Sequence, residues 1–158
     1  MDLSSAREWL HGRYFEDFEV GQRFDHHWGR TITESDAILF STLTLAYNPL
    51  YLNRDHALAE GHPDLVVNPL LVFDVVFGLS VEDLSEKGGL FLGVEDLTYH
   101  RHVYPGETLT ARSEVLTARL SDSRPEHGVV SWRTEGVDAR GTIVIDFTRT
   151  NLVVRRPA

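Results

Sequence analysis

Asn68-Pro69-Leu70-Leu71-Val72-Phe73-Asp74-Val75-Val76-Phe77-Gly78-Leu79-Ser80-Val81-Glu82-Asp83-Leu84 is the stretch on which the fold turns. Asn68 is a good helix N-cap, and Pro69 falls at the first helical position, where a missing N–H costs nothing. The apolar residues behind them, from Leu70 to Leu84, point in every direction around a helix axis. A surface helix would show a single apolar stripe, so this pattern predicts a helix enclosed on all sides. It is too short and too interrupted for a bilayer span, which needs about 18 to 20 apolar residues.

Beyond Leu90 the pattern changes to strands. Residues 90–103 and 107–120 flank the turn Tyr104-Pro105-Gly106-Glu107, and residues 128–138 and 141–154 flank Ala139-Arg140-Gly141. Connections this short predict antiparallel neighbours in both cases, since a parallel crossover needs roughly a dozen residues or more. Ser121 to Gly128 is a longer polar loop. Upstream, residues 1–13 are a polar lead-in, and Tyr14 to Gly21 reads as an aromatic arm that turns at the glycine. Residues 22–32 suit a strand. Thr33 followed by Asp36 marks a helix start, and Ala37 to Leu45 predicts a short, mostly buried helix. Asn48-Pro49 breaks it, and Asn53 caps a second short helix that ends at Glu60 and Gly61. One buried helix followed by a long antiparallel meander is an α+β domain, with the sheet wrapped around the helix. Its edge strand calls for a cover, which a dimer supplies.

Composition narrows the function classes. A length of 158 residues with 42% hydrophobic content suits one domain with one core. The net charge of −9 and a pI near 5.3 lack a nucleic-acid footprint. Zero cysteines exclude a disulfide scaffold, a thiolate metal site and a Cys nucleophile. Lys87 is the sole lysine, so an anionic ligand must be held by Arg, His or backbone amides. The first residues lack the basic-then-apolar order of a signal peptide, so a cytoplasmic location is expected. No phosphate loop, dinucleotide fingerprint or Gly-x-Ser-x-Gly elbow is present.

Three segments carry a family resemblance: Gly12-Arg13-Tyr14-Phe15-Glu16-Asp17-Phe18, Gly29-Arg30-Thr31-Ile32-Thr33 and Val103-Tyr104-Pro105-Gly106-Glu107-Thr108-Leu109. The chain resembles a single-hotdog protein of the MaoC-like dehydratase family, which includes R-specific enoyl-CoA hydratases. The likeness covers nearly all of residues 1–158 and implies a hotdog fold. The family's active-site motif runs Gly-Asp-x-Asn-Pro-aliphatic-His, with a small residue six positions after the His. Here the matching residues are Leu45-Ala46-Tyr47-Asn48-Pro49-Leu50-Tyr51, with Ala57 as the small residue. In the family the Asp and His flank the acyl thioester and handle its protons. Ala46 can do no proton chemistry, and Tyr51 is a hydrogen-bond donor but a poor base at its ordinary pKa.

Further candidates follow from the residue types. Asn48 can orient a carbonyl or a water; its plainer role is a turn before the proline. Family members hold the thioester carbonyl with a backbone N–H at the start of the long helix. Pro69 has none, which leaves the Asn68 amide or the N–H of Leu70. Asp74 is a carboxylate on an otherwise apolar helix, and some hotdog thioesterases use an acid there. His62 precedes the helix and is the best replacement base. His26 and His27 read as strand-surface residues, and His56 as facing solvent. His100 and His102 share a strand face, but no third ligand follows, so no metal is expected. Arg101, Arg155 and Arg156 could meet distal phosphates, the last two otherwise forming a frayed basic tail.

The resemblance implies a hydratase or dehydratase of a CoA or carrier-protein thioester with an altered site built on Tyr51 and Asn48. The CoA or phosphopantetheine belongs to the substrate, and no other cofactor is expected. The partners expected are that thioester or an acyl carrier protein, and a second copy, with neither nucleic acid nor membrane. The alternative is a non-catalytic acyl-binding or partner subunit of a hotdog assembly. A third reading is a thioesterase using Asp74.

Overall fold

The computed structural model describes residues 11–157, so most of the polar lead-in lies outside the described residues. A short 3-10 turn at Phe15–Asp17 leads into β1 (Arg23–Thr31), α1 (Glu34–Leu43), α2 (Pro49–Leu52) and α3 (Arg54–Ala59). The long helix α4 (Pro69–Leu84) follows, and then β2 (Phe91–Tyr99), β3 (Thr108–Leu120), β4 (His127–Val137) and β5 (Ile143–Val154). The strands form one antiparallel sheet in the order β1-β3-β4-β5-β2, with α4 packed on one face. This is the expected α+β arrangement.

Local chemistry sets the element ends. Thr33 Oγ1 accepts from the Asp36 amide while the Asp36 carboxylate accepts from the Thr33 amide, a reciprocal box that starts α1. Asn68 Oδ1 accepts from the Leu70 amide at 3.0 Å, and Pro69 occupies the first position of α4. Where α4 crosses the sheet, Gly136 allows the approach: a Cβ there would lie 2.5 Å from Val76 Cγ2. The core divides along α4. Ile32, Val72, Val76, Leu109, Ile145 and Phe147 fill one end, while Phe18, Phe24, Leu84, Val130 and Trp132 fill the other.

Four expectations need correction. The segment 90–103 does not pair with 107–120: β2 pairs with β5 at the sheet edge, and β3 lies between β1 and β4. The chain between them is spent crossing the sheet. The Val103 carbonyl accepts from the Val67 amide, and Ile32 bonds to Gly106 and Glu107. The helix α1 is not mostly buried. Only Ala37 and Ser41 are, while Leu39 and Leu43 are 59% and 73% exposed, because α1 lies on the outside of the domain. Nor is α4 enclosed on all sides. Leu70, Asp74 and Gly78, four residues apart, form an open stripe that α1, α2 and α3 leave uncovered. Arg155 and Arg156 are no frayed tail: Arg155 donates to Glu16 and the Pro125 carbonyl, and Arg156 bonds to Glu16 and Asp17.

Candidate functional site

The one-turn helix α2 forms because Asn48 caps it, with Oδ1 accepting from the Leu50 amide at 3.0 Å, and Pro49 starts it. Ahead of it, α1 closes with the amides of Leu45 and Ala46 bonding back to the carbonyls of Thr42 and Ser41. Leu45 takes a φ of +57°, the left-handed position usually given to glycine. The Leu50 carbonyl then accepts from the Val66 amide, and Val67 bonds to Val103. These bonds tie α2 and the residue 100–107 crossing to the segment that leads into α4.

Tyr51, Asp74 and Tyr99 form an electrostatically linked group. Tyr99, at the end of β2, has its phenol pushed up to about 12 by burial, reinforced by negative charge on Asp74 and Tyr51. Asp74 has its carboxyl raised above the ordinary aspartate value by desolvation, although its residue remains largely exposed on the open stripe. An acid and two phenols beside an apolar helix can exchange protons and donate hydrogen bonds to a polarised oxygen. Reading the sequence missed Tyr99, whose only signal was an aromatic hydroxyl at the end of an edge strand.

His62 joins another group. Its Nδ1 shares a 3.2 Å hydrogen bond with the Tyr104 hydroxyl, and its ring stands edge-on to His102 at 4.9 Å. His100 instead bonds to Asp146 at 2.6 Å, so these two histidines, past the end of β2, diverge rather than share a face. Arg101 is held by Glu107 and Asp138, with contacts of 2.7 and 2.8 Å, and donates to the His102 carbonyl. Hydrogen bonding to Glu107 raises its pKa further, so its charge is compensated where it stands. His56 is half-buried rather than facing solvent. His11 Nδ1 lies 3.0 Å from Glu82 and 3.3 Å from Glu86, at the far end of α4 from Asn68; these exposed contacts read as ion pairs.

His26 reverses the sequence expectation. It is 5% exposed because it shares the inward face of β1 with Phe24. Its Nδ1 lies 2.7 Å from Asp83 Oδ2 and its Nε2 lies 2.9 Å from Ser113 Oγ, which is 2.8 Å from Thr134 Oγ1. The carboxylate can only accept, so Nδ1 carries the proton and Nε2 accepts from Ser113.

A model of the mesaconyl-CoA hydratase family matches residues 1–158. The chain belongs to the mesaconyl-CoA hydratase family. The chain is 37% identical over 157 residues to a mesaconyl-CoA hydratase of Haloarcula marismortui, covering 99% of this chain but 43% of that one. It therefore spans less than half the length of that relative. An (R)-specific enoyl-CoA hydratase of Rhodospirillum rubrum is 29% identical over 143 residues and is matched over 93% of its length. Among solved structures, a putative MaoC domain protein dehydratase from Chloroflexus aurantiacus superposes with a TM-score of 0.86 at 33% identity, covering 92% of this chain and 41% of that one. A Mycobacterium tuberculosis protein described as a double hotdog gives 0.76 at 29% identity, with 92% of this chain and 45% of that one covered. The fold is thus a hotdog of the MaoC-like type.

Proposed function

We propose that this chain acts in the hydration of an enoyl-CoA thioester, or in the reverse dehydration, with mesaconyl-CoA as the first substrate to test. The observation that carries this reading is the match of that family's model to residues 1–158, together with a carboxylate, Asp74, on the open stripe of α4 whose charge is felt by Tyr99. In hydration, water oxygen bonds to the β-carbon, one of its protons leaves, and a proton is delivered to the α-carbon. Asp74, whose carboxyl is raised by desolvation, is suited to take and return a proton nearer neutrality. Tyr51 donates a hydrogen bond to the thioester or to the leaving hydroxyl. Asn48 has its Oδ1 committed to the Leu50 amide, so its NH2 orients the water. His62, on the loop before α4, and Arg101, on the 100–107 crossing, form a separate cluster with Tyr104, Glu107 and Asp138 and are assigned outer, substrate-arm positions in this reading.

The CoA or phosphopantetheine arm comes with the substrate, and the reaction asks for no further cofactor. The proposed setting is the cytoplasm; no helix among the described residues is long and apolar enough to cross a membrane. Purified chain should convert at least one of mesaconyl-CoA, crotonyl-CoA or a 3-hydroxyacyl-CoA, followed by enoyl-thioester absorbance. No water addition or loss with any of them overturns this reading, and thiol release would redirect it to a thioesterase using Asp74.

A second reading has its own observation. Ala46 offers no acid or base, the matched relative is more than twice as long, and β2 leaves Phe91 and Leu92 exposed on an unpaired edge. In this reading a second hotdog unit, from a partner chain or another copy, covers β2 and completes the site. Activity that appears only on mixing with a partner hotdog chain would support it, and full activity of the isolated homo-oligomer would exclude it.

A further inference from the structure

Arg149 is a buried cation without a counterion. It lies on β5 with 0% exposure, and its Nη2 donates to Ser85 Oγ, just past the end of α4, at 3.2 Å. Its Nε and Nη1 are buried and make no hydrogen bond among the described residues. No carboxylate there pairs with it, and desolvation alone lowers its pKa to about 10, so the guanidinium is still charged at neutral pH. Trp132, its cross-strand neighbour on β4, also buries its indole N–H without an acceptor, with the ring 5.3 Å from the guanidinium carbon. An uncompensated buried charge is costly, and an anion that reaches it relieves that cost. The cover over Arg149 is thin. Phe77 of α4 stands over the guanidinium at 4.5 Å and reaches Phe91, on the exposed edge of β2, at 5.4 Å. Gly78, next to Phe77, lies on the open stripe one turn beyond Asp74, and a Cβ on it would meet nothing within 4 Å. One half-buried ring, adjoining the stripe that carries the proposed acid, thus covers the charge.

We propose that Arg149 receives the free carboxylate of an acyl thioester that carries one, with Phe77 turning aside to admit it, so that the chain selects dicarboxylic acyl groups over plain ones. This rests on the proposed reading of the site as one for an acyl-CoA thioester, and mesaconyl-CoA carries such a carboxylate. The selection follows from what each ligand leaves behind. A carboxylate gives the unpartnered N–H groups a charged acceptor, whereas a methyl in its place leaves the cation buried and unpaired. Arginine suits this role better than lysine because its charge survives burial and its donors spread over a planar fork.

The test compares succinyl-CoA with butyryl-CoA, equal in length and differing by a terminal carboxylate against a methyl. Neither carries the double bond or hydroxyl on which hydration and dehydration act, so titration calorimetry reads binding apart from turnover. The parent chain should favour succinyl-CoA by about 10- to 100-fold, the value of a hydrogen bond to a charged group. Arg149→Met keeps an apolar stem and removes the charge, so it should favour butyryl-CoA instead. Its melting temperature should match or exceed the parent's, because the uncompensated charge is gone. Arg149→Lys should keep part of the preference for succinyl-CoA, and its ratio decides the matter if Arg149→Met does not fold. A purely structural Arg149 would move melting temperatures and leave the ligand ratio alone. A parent without preference for succinyl-CoA, or a ratio unchanged by substitution at Arg149, overturns the inference while leaving the thioester site standing. If the parent binds neither ligand, the reading of the site falls and the inference with it.

Discussion

His26 Nδ1 donates to Asp83 Oδ2 at 2.7 Å with both residues at least nine-tenths buried, and this pair joins β1 to the last turn of α4. Burial lowers the His26 pKa below the ordinary 6.5, with Asp83 opposing and the buried Arg149 assisting the shift. The ring is therefore neutral in the folded chain where the unfolded chain already binds a proton. Stability is fully present above pH 6.5 and is lost as the pH falls from there toward the folded pKa. Urea denaturation between pH 8 and pH 5 should show that decline, in a window above those of the surface carboxylates.

The same pair gives a sharper test by substitution. Removing the ring in His26→Ala leaves a buried carboxylate without its donor, and losing a hydrogen bond to a charged group costs about 1.5 to 3 kcal/mol. Asp83→Asn keeps an acceptor for Nδ1 and removes the charge, so it should cost clearly less. Equal losses in the two variants, read from urea midpoints at pH 8, would show that packing rather than the charged hydrogen bond holds the β1–α4 joint.

Asp74 and Tyr99 should report on each other. Desolvation raises the Asp74 carboxyl, so its charged form is disfavoured in the fold above the ordinary aspartate value of 3.8. Asp74→Asn should therefore stabilise the chain slightly at neutral pH, by an amount that solvent screening keeps small, and the gain should vanish in acid. The Tyr99 phenol should titrate below its parent value of about 12 in the same variant, yet stay above the ordinary 10 because burial is the larger cause. Alkaline difference spectra of Asp74→Asn, with Tyr99→Phe to assign the signal, measure the coupling directly. An unmoved Tyr99 titration would separate the two groups.

Leu45 spends conformational energy that glycine would not. Its φ of +57° lies where an L side chain costs about 1 to 2 kcal/mol, and its side chain is 71% exposed, so little packing offsets the strain. Glycine loses part of the gain to chain entropy, roughly 0.5 to 1 kcal/mol. Leu45→Gly should thus raise stability by up to about 1 kcal/mol, seen as a higher urea midpoint with an unchanged slope. A loss instead would mean that the exposed leucine packs against something, which a second hotdog unit would provide.

What the sequence made legible was local. Asn68 with Pro69, and Thr33 with Asp36, announce helix starts because capping is a contest among neighbours in the chain. Turn residues marked the strands, and strict alternation, had it been applied, would have pointed to His26 as buried: Phe24 is plainly a core residue, and two positions on lies the same face. The strand pairing was beyond local reading, since nothing near Tyr99 says that β2 will lie beside β5. The open stripe of α4 escaped for a similar reason. An apolar helix calls for cover, but the residues do not say whether the same chain supplies it. Tyr51 and Asp74 stood out as residue types in unexpected places, whereas Tyr99 became visible only when the fold set it beside Asp74.

Tyr51 offers the last prediction and divides a working centre from a filled space. Tyr51→Phe keeps the ring and removes one hydroxyl, so folding should hardly change. If the phenol donates to the thioester or the leaving hydroxyl, its loss removes a hydrogen bond worth about 0.5 to 1.5 kcal/mol. An oxyanion-type contact would cost more, about 2.7 to 4 kcal/mol. Turnover of the active acyl-CoA should accordingly fall by at least several-fold, with kcat losing more than KM if the bond forms mainly in the transition state. The coupling to Tyr99 adds a second readout: Tyr51→Phe removes a negative charge at high pH, so the Tyr99 titration should also move down. Parent-like turnover together with a lowered Tyr99 titration would make Tyr51 an electrostatic neighbour that fills the cleft. Proton transfer would then fall to Asp74, whose raised carboxyl stands on the same open stripe.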